Sequence, residues 1–183
     1  LLVGDALIVL AFQNVARAFA GAAPRLPGIV LALGRAAGAP GGIVAGQAWE
    51  CETATPLEEY RRLKTGALFV AATVGGALSA GADPAPWRTL GDRLGEAYQL
   101  ADDVRDALGT DDELGKTAHR DADLGRPTAL AELGLQGTVQ RFDALMREAT
   151  ESIPQCPGAE FLRDLVELEA QRLLPASLLQ RAA

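Results

Sequence analysis

Between Gly66 and Ala82 the chain carries no charged side chain, and Gly, Ala and Ser are interleaved with Leu68, Phe69, Val70, Val74 and Leu78. Such a run has few folded solutions. A helix that crosses a bilayer needs ~20 predominantly apolar residues, and this run is shorter and studded with small residues. It reads as a buried helix of a soluble protein. Leu1–Ala20 raises the same question, but it carries Asp5, Gln13, Asn14 and Arg17. An ionised side chain at a bilayer centre costs ~2.5–3.5 kcal/mol, which argues against a span. The stretch also lacks the basic leader of a signal peptide. Leu1–Ala20 too reads as a buried helix of a soluble protein, and no membrane span is expected.

The rest of the sequence points the same way. Ala and Leu dominate, β-branched residues are sparse, and no hairpin dipeptide separates alternating runs, so an all-α fold is expected. Helices are predicted over Leu1–Ala20, over Leu26–Gly38 with Gly38 and Pro40 as its stop, and over the small-residue-rich Gly41–Glu52. A longer one runs from Pro56 to Ser79, with Glu58 and Glu59 in its first turn, where the helix dipole favours acids. Ala85–Leu108 follows and stops at Gly109, and Thr110–Pro127 reads as a polar loop. Thr138–Ile153 and Gly158–Arg181 complete the set, the last with Phe161, Leu165, Leu168 and Leu173 as its core-facing row. No repeat or linker divides residues 1–183, so a single domain is expected.

Composition narrows the function. The chain has 183 residues, 49% of them hydrophobic, enough to bury a core. The 17 Lys and Arg against 24 Asp and Glu give a net charge of −7, which disfavours nucleic acid and anionic membranes as partners. An aromatic content of 5% disfavours single-strand binding by base stacking. Cys51 and Cys156 are too few and too distant for a disulfide framework, so a cytoplasmic location is expected. Neither belongs to a Cys-x-x-Cys pair, and the lone His119, on the polar loop, reads as solvated; together they leave no zinc site.

The chemistry concentrates in Gly95-Glu-Ala-Tyr98-Gln99-Leu-Ala-Asp102-Asp103-Val-Arg-Asp106. At offsets of three and four, Gln99, Asp102, Asp103 and Asp106 share one helix face. Three carboxylates near a helix C-terminus repel one another and oppose the dipole, at ~0.3–1 kcal/mol each. One reading is a solvated acidic helix end. The other is a cation site, and oxygen-only donors suit Mg²⁺ rather than zinc. Two further features bear on the choice. Lys116 and Arg126 follow on a glycine-punctuated segment that also holds Asp121, and Lys64-Thr65-Gly66 interrupts an apolar stretch. An isolated lysine there snorkels to the surface or meets an anion in a cavity. Acid-held Mg²⁺ with two lysines and an arginine is the combination that grips a diphosphate.

These residues resemble the trans-type isoprenyl diphosphate synthases, the polyprenyl synthetase family. The resemblance runs from Gly4-Asp5-Ala-Leu7 and Ala11-Phe12 through Gly42-Ile-Val-Ala-Gly46-Gln47 and Lys64-Thr65-Gly66-Ala-Leu68-Phe69. It continues through Tyr98-Gln99-x-x-Asp102-Asp103-x-x-Asp106 to Gly115-Lys116 and Asp121-x-x-x-Gly125-Arg126-Pro127-Thr128. It implies an isoprenoid-synthase-type helical bundle whose N-terminal helices are missing from this chain. It also implies an Mg²⁺-dependent condensation of isopentenyl diphosphate with an allylic prenyl diphosphate. The match is nearest the geranylgeranyl-type enzymes of bacterial pigment pathways, which implies geranylgeranyl diphosphate as product, and a homodimer.

By position, the resemblance makes Asp102, Asp103 and Asp106 the second aspartate-rich motif, which holds Mg²⁺ bridging to the allylic diphosphate. Lys64, Lys116 and Arg126 face diphosphate, Arg126 standing where lysine is usual. Arginine keeps the charge but changes the geometry. Thr65 and Gln99 line the reacting carbons, and Gly46-Gln47 lies on the helix against which the substrate tail packs. Trp49-Glu50 replaces the family's usual smaller residue and Asp.

The family's first Asp-Asp-x-x-Asp motif, its Arg pair and an earlier Gly-Lys-Arg do not occur in the chain. They belong upstream of the segment matching Gly4-Asp5. The chain begins at Leu1 and its single methionine is Met146, so residues are expected ahead of Leu1. Without the first motif half the metal site is absent, and this chain alone is expected to turn over negligibly. A second reading is therefore a non-catalytic, synthase-like subunit or fragment that acts through helix packing. A third, a terpene cyclase of the same helical class, is disfavoured by Lys64-Thr65 and by the Lys116 to Arg126 segment.

Overall fold

Proline and glycine set most of the helix boundaries. The computed structural model describes residues 1–52, 57–109 and 128–179. Among these residues all regular structure is helical. We number the α-helices α1 (Leu2–Ala18), α2 (Leu26–Ala37), α3 (Ile43–Ala48), α4 (Leu57–Arg61), α5 (Ala67–Ala80), α6 (Ala85–Leu108), α7 (Ala129–Ser152), α8 (Ala159–Leu173) and α9 (Ala176–Leu179). A 3₁₀ turn at Ala23–Arg25 precedes α2 and another at Trp49–Cys51 follows α3. The expected all-α fold is therefore observed.

α2 begins with Pro27 in its first turn, where the missing N–H has no cost, and stops at Gly38. The chain then doubles back so tightly that a Cβ on Gly42 would sit 2.2 Å from the Ala36 carbonyl oxygen. Only glycine fits there. α4 and α5 were expected as one helix over Pro56–Ser79. Among the described residues they do form one continuous helical stretch, with a π turn at Arg62–Gly66 inside it. Such turns occur mostly as single interruptions within α-helices, frequently at functional sites. Packing accounts for its position. Gly46 of α3 lies against the turn, where a Cβ would come within 2.6 Å of the Lys64 backbone nitrogen.

α5 closes on Gly81 in the left-handed conformation, with φ of 75°, a normal helix stop. By length and composition, Glu58–Ala80 is apolar enough to cross a membrane. In the fold its α5 part contacts α2 and α6, but only Val74 and Ala77 of α5 are buried, fewer than the expected buried helix requires. α6 spans Ala85–Leu108 as expected. It meets α5 through two glycines: a Cβ on Gly91 would sit 2.6 Å from Val70 Cα, and one on Gly95 2.7 Å from Gly66 Cα.

The core lies mainly between α6 and α7. Leu90, Ala97, Leu100, Ala101 and Val104 pack with Phe142, Leu145, Met146, Ala149 and Ile153. Burying a side chain such as Leu145 contributes ~1.5–3 kcal/mol. α7 begins at Ala129 rather than at the expected Thr138. Thr128 caps it, its hydroxyl accepting from the Ala131 N–H at 3.2 Å. The helix bends at Gly134, where φ is 66°. The backbone there is not helical, so the stretch is two helical pieces meeting at a kink, and the helix expected from Thr138 lies within the second.

The C-terminal helix also differs from its expectation. It ends at Leu173, because Pro175 cannot continue it, and a separate turn of helix, α9, follows. The expected core-facing row is largely turned outward: Phe161 is 74% exposed and Leu168 59%. The row that packs on the core is Ala159, Leu162, Val166, Ala170 and Leu173. Both rows have helical spacing, and the smaller side chains allow the closer approach to α7. α1, expected as a buried helix, instead lies at the surface: it contacts α2 but has no buried residue, and Leu2, Val3, Leu7 and Ile8 are exposed along it.

Candidate functional site

The π turn and the middle of α6 bring three elements of the expected site together. The Thr65 hydroxyl donates to Gln99 Oε1 at 3.2 Å. The Gln99 amide donates from Nε2 to Asp103 Oδ1 at 3.1 Å. Asp103 Oδ2 accepts from Arg61 Nη2 at 2.6 Å and from the Ala129 N–H at 2.8 Å. These contacts make a continuous hydrogen-bonded chain from the π turn, across α6, to the first turn of α7.

Asp103 is the hub. Its side chain is 3% exposed and that of Arg61 18%. Burial pushes the Asp103 carboxyl above the ordinary carboxylate range. The Ala129 N–H, the Arg61 charge and the Gln99 amide pull it down, and the neighbouring Asp102 adds to the rise. Removing one partner of so buried a pair leaves an uncompensated charge, which costs far more than the pair contributes.

Lys64 lies in the π turn beside Tyr60, its Nζ donating to the phenolic oxygen at 2.5 Å. That nitrogen is also 4.9 Å from the centre of the Tyr60 ring. Lys64 and Thr65 are both partly buried. Tyr98, beside Gln99, stacks at an angle on Phe69 with ring centres 5.3 Å apart. Gly46 is buried against Lys64, whereas Gln47 is exposed.

Of the three expected metal ligands, Asp103 and Asp106 are buried and Asp102 is partly exposed. All three stand in the C-terminal part of α6, but Asp103 is directed to Arg61. Among the described residues no group of three or more His, Cys, Asp or Glu side chains converges closely enough to hold a metal ion. Lys116, Arg126, His119 and Asp121 lie outside the described residues.

A cavity of about 320 Å³ opens between α2, α5 and α6. Ala67, Ala71, Val74 and Leu78 of the uncharged run line one wall, and Leu31 and Ala32 of α2 another. Arg35, Arg62 and Arg88 are also among its lining residues. Arg62 is paired with Glu59 at 2.7 Å.

Sequence reasoning missed Arg61 and Tyr60. Both precede Lys64 on what reads as an ordinary helix, and no spacing rule links Arg61 to a carboxylate 42 positions away. The available signal was their proximity to Lys64-Thr65, four residues being one helical turn.

Comparison with known proteins places the chain in a family. The sequence pattern of the polyprenyl synthetase family matches residues 1–159. The chain is 45% identical over 181 residues to geranylgeranyl diphosphate synthase of Cereibacter sphaeroides, and 42% identical over 178 residues to the enzyme of the same name from Rhodobacter capsulatus. These alignments take in 99% and 96% of the chain, which spans 63% and 62% of the length of those relatives. Among solved structures it is similar to an FPP/GFPP synthase from Zymomonas mobilis, with a TM-score of 0.72 and 27% identity over 93% of this chain and 59% of that one. A geranyltransferase from Helicobacter pylori, complexed with magnesium and isoprenyl diphosphate, shares the fold with a TM-score of 0.79 at 22% identity, over 93% of this chain and 60% of that one.

Proposed function

This chain belongs to the polyprenyl synthetase family, and from that premise we propose that the protein it represents is a chain-elongating prenyltransferase. It joins isopentenyl diphosphate to an allylic prenyl diphosphate, and the product is geranylgeranyl diphosphate, as the names of its relatives suggest. The observation that carries this reading is the contact between Thr65 and Gln99, which sets two oxygen dipoles beside Lys64 in one partly buried place.

The reaction asks for opposite things at two neighbouring points. The allylic C–O bond breaks and the diphosphate leaves with the electron pair, so positive charge must face the leaving group. The allylic carbon becomes cationic, so lone pairs and a dry apolar wall must face it. The isopentenyl double bond then forms the new C–C bond, and loss of a proton restores an alkene. Lys64 supplies a cation for the leaving diphosphate, and Lys116 and Arg126 are assigned the same task. Thr65 and Gln99 supply preorganised dipoles for the carbocation. The cavity along Ala67, Ala71, Val74 and Leu78 falls within the ~300–1,000 Å³ usual for ligand pockets and is assigned to the prenyl tail.

The donors on α6 fit Mg²⁺. This ion binds through one or two carboxylates and completes its shell with water and substrate phosphate. Asp102 and Asp106 are hard oxygen donors one helical turn apart and would hold it. When bound, Mg²⁺ supplies positive charge to the diphosphate oxygens.

The test is incubation of the protein with isopentenyl diphosphate, farnesyl diphosphate and Mg²⁺, with products read by mass spectrometry. A C₂₀ prenyl diphosphate that disappears with chelator is the expected result. A cyclic hydrocarbon, or no elongation, would overturn the reading. The exposed apolar residues of α1 favour a second element of the proposal, that this helix pairs with another copy of the chain. A non-catalytic subunit would use the same surface, and it is separated from the enzyme by the product assay.

A further inference from the structure

We infer that Arg61 and Asp103 are positioning residues for the prenyl transfer: they fix the direction of the Gln99 amide, and through it the Thr65 hydroxyl, with Asp103 serving this chain of contacts rather than a metal ion. The inference rests on the function proposed above and adds a task for two residues.

The direction of each contact follows from the chemistry of its partner. An ionised carboxylate only accepts, so the Gln99 group facing Asp103 must be its NH₂. The amide oxygen is thereby turned to Thr65. A threonine hydroxyl has one proton, and Thr65 gives it to that oxygen. What Thr65 can offer in any other direction is lone pairs. A site stabilising a carbocation needs such a polarity, and a hydroxyl free to rotate would supply it only part of the time.

Asp103 can act as a fixed acceptor because both its oxygens are held. Oδ2 is gripped by Arg61 at 2.6 Å and by the Ala129 N–H at 2.8 Å, leaving Oδ1 aimed at Gln99. Charge-assisted hydrogen bonds of this length are the stronger kind. The neighbouring Asp102, by contrast, is partly exposed.

The test compares Arg61→Met, Asp103→Asn, the double variant and Arg61→Lys in the full-length enzyme. Turnover and KM for both substrates are measured, together with Mn²⁺ binding in the presence of inorganic pyrophosphate, followed by electron paramagnetic resonance. Each of the first two changes should lower kcat by about tenfold with KM altered less than about threefold, and the double variant should be no worse than the poorer single one. Arg61→Lys should recover most of the loss, and Mn²⁺ affinity should stay within about twofold throughout. Weakening of Mn²⁺ binding by about tenfold in Asp103→Asn but not in Arg61→Met would make Asp103 a metal ligand and overturn the inference. Losses that multiply to about a hundredfold in the double variant would also overturn it. Should Arg61→Met fail to fold, Asp103→Asn and the double variant carry the comparison, and equal kcat values are then the supporting result. A wild-type enzyme that neither elongates a prenyl diphosphate nor binds Mn²⁺ would instead overturn the proposed function itself.

Discussion

Gly95 of α6 lies against Gly66 at the end of the π turn so closely that a Cβ on Gly95 would come within 2.7 Å of the Gly66 Cα. The obstacle is backbone, which cannot swing aside as a side chain can. Gly95→Ala should therefore push α6 away from α5 and cost about 1–3 kcal/mol, the range for overpacking. Turnover should fall with it, because Gln99 is one turn along the same helix. Urea unfolding together with the elongation assay checks both, and unchanged stability would mean that the two helices can separate without strain.

Leu145 is fully buried between α6 and α7. Leu145→Ala should cost about 2–5 kcal/mol, through lost burial and the cavity left behind. Phe161 and Leu168, on the outward row of α8, give the contrast. Leu168→Ser should change stability by no more than about 0.5 kcal/mol. Chemical denaturation of the two variants side by side checks both values.

Asp103 predicts a pH dependence with a definite sign. Its carboxyl is raised above the ordinary value of 3.8, chiefly by burial. Between that value and the raised one, the folded protein keeps a proton that the unfolded chain has released. The stability this group contributes is thus fully present below the ordinary carboxylate range and is lost as pH rises through the raised value. Asp103→Asn has no such proton and should flatten this component. Urea midpoints measured from pH 4 to pH 7 in both proteins provide the test, and parallel curves would contradict it.

Asp102 is partly exposed at the end of α6 where the proposed Mg²⁺ binds. Asp102→Ala should reduce elongation by about a hundredfold or more, comparable to the loss of a charge-stabilising group elsewhere, and leave the fold intact. Circular dichroism and a Mg²⁺ titration of activity check the two halves of that statement. Near-normal turnover at ordinary Mg²⁺ would remove Asp102 from the metal site.

Much of this was legible in the sequence because helices write their period locally. α6 appears between Pro84 and Gly109 because both ends are punctuated and its apolar face repeats without interruption. Where two signals compete, the sequence is ambiguous. α8 carries two apolar rows, and the larger one, with Phe161 and Leu168, looked like the core until packing favoured Ala159, Val166 and Ala170. The candidate site divides the same way. Lys64, Thr65, Gln99 and the aspartates are visible as motifs, whereas Arg61 has no motif and owes its place to a contact across the fold. Such a contact depends on how two helices cross, which no local period records.

The π turn has a consequence for how the two helices are kept aligned. Counting away from it, Arg61 and Thr65 are four residues apart on one helix, and Asp103 and Gln99 are four apart on the other. The pairs meet in reverse order, Arg61 with Asp103 and Thr65 with Gln99, as rungs between antiparallel rails. Sliding one rail by a single residue would break both rungs together and strand a buried carboxylate. The alignment of the helices and the aim of Thr65 and Gln99 are therefore one property, so a slipped bundle could not persist folded with those two groups misdirected.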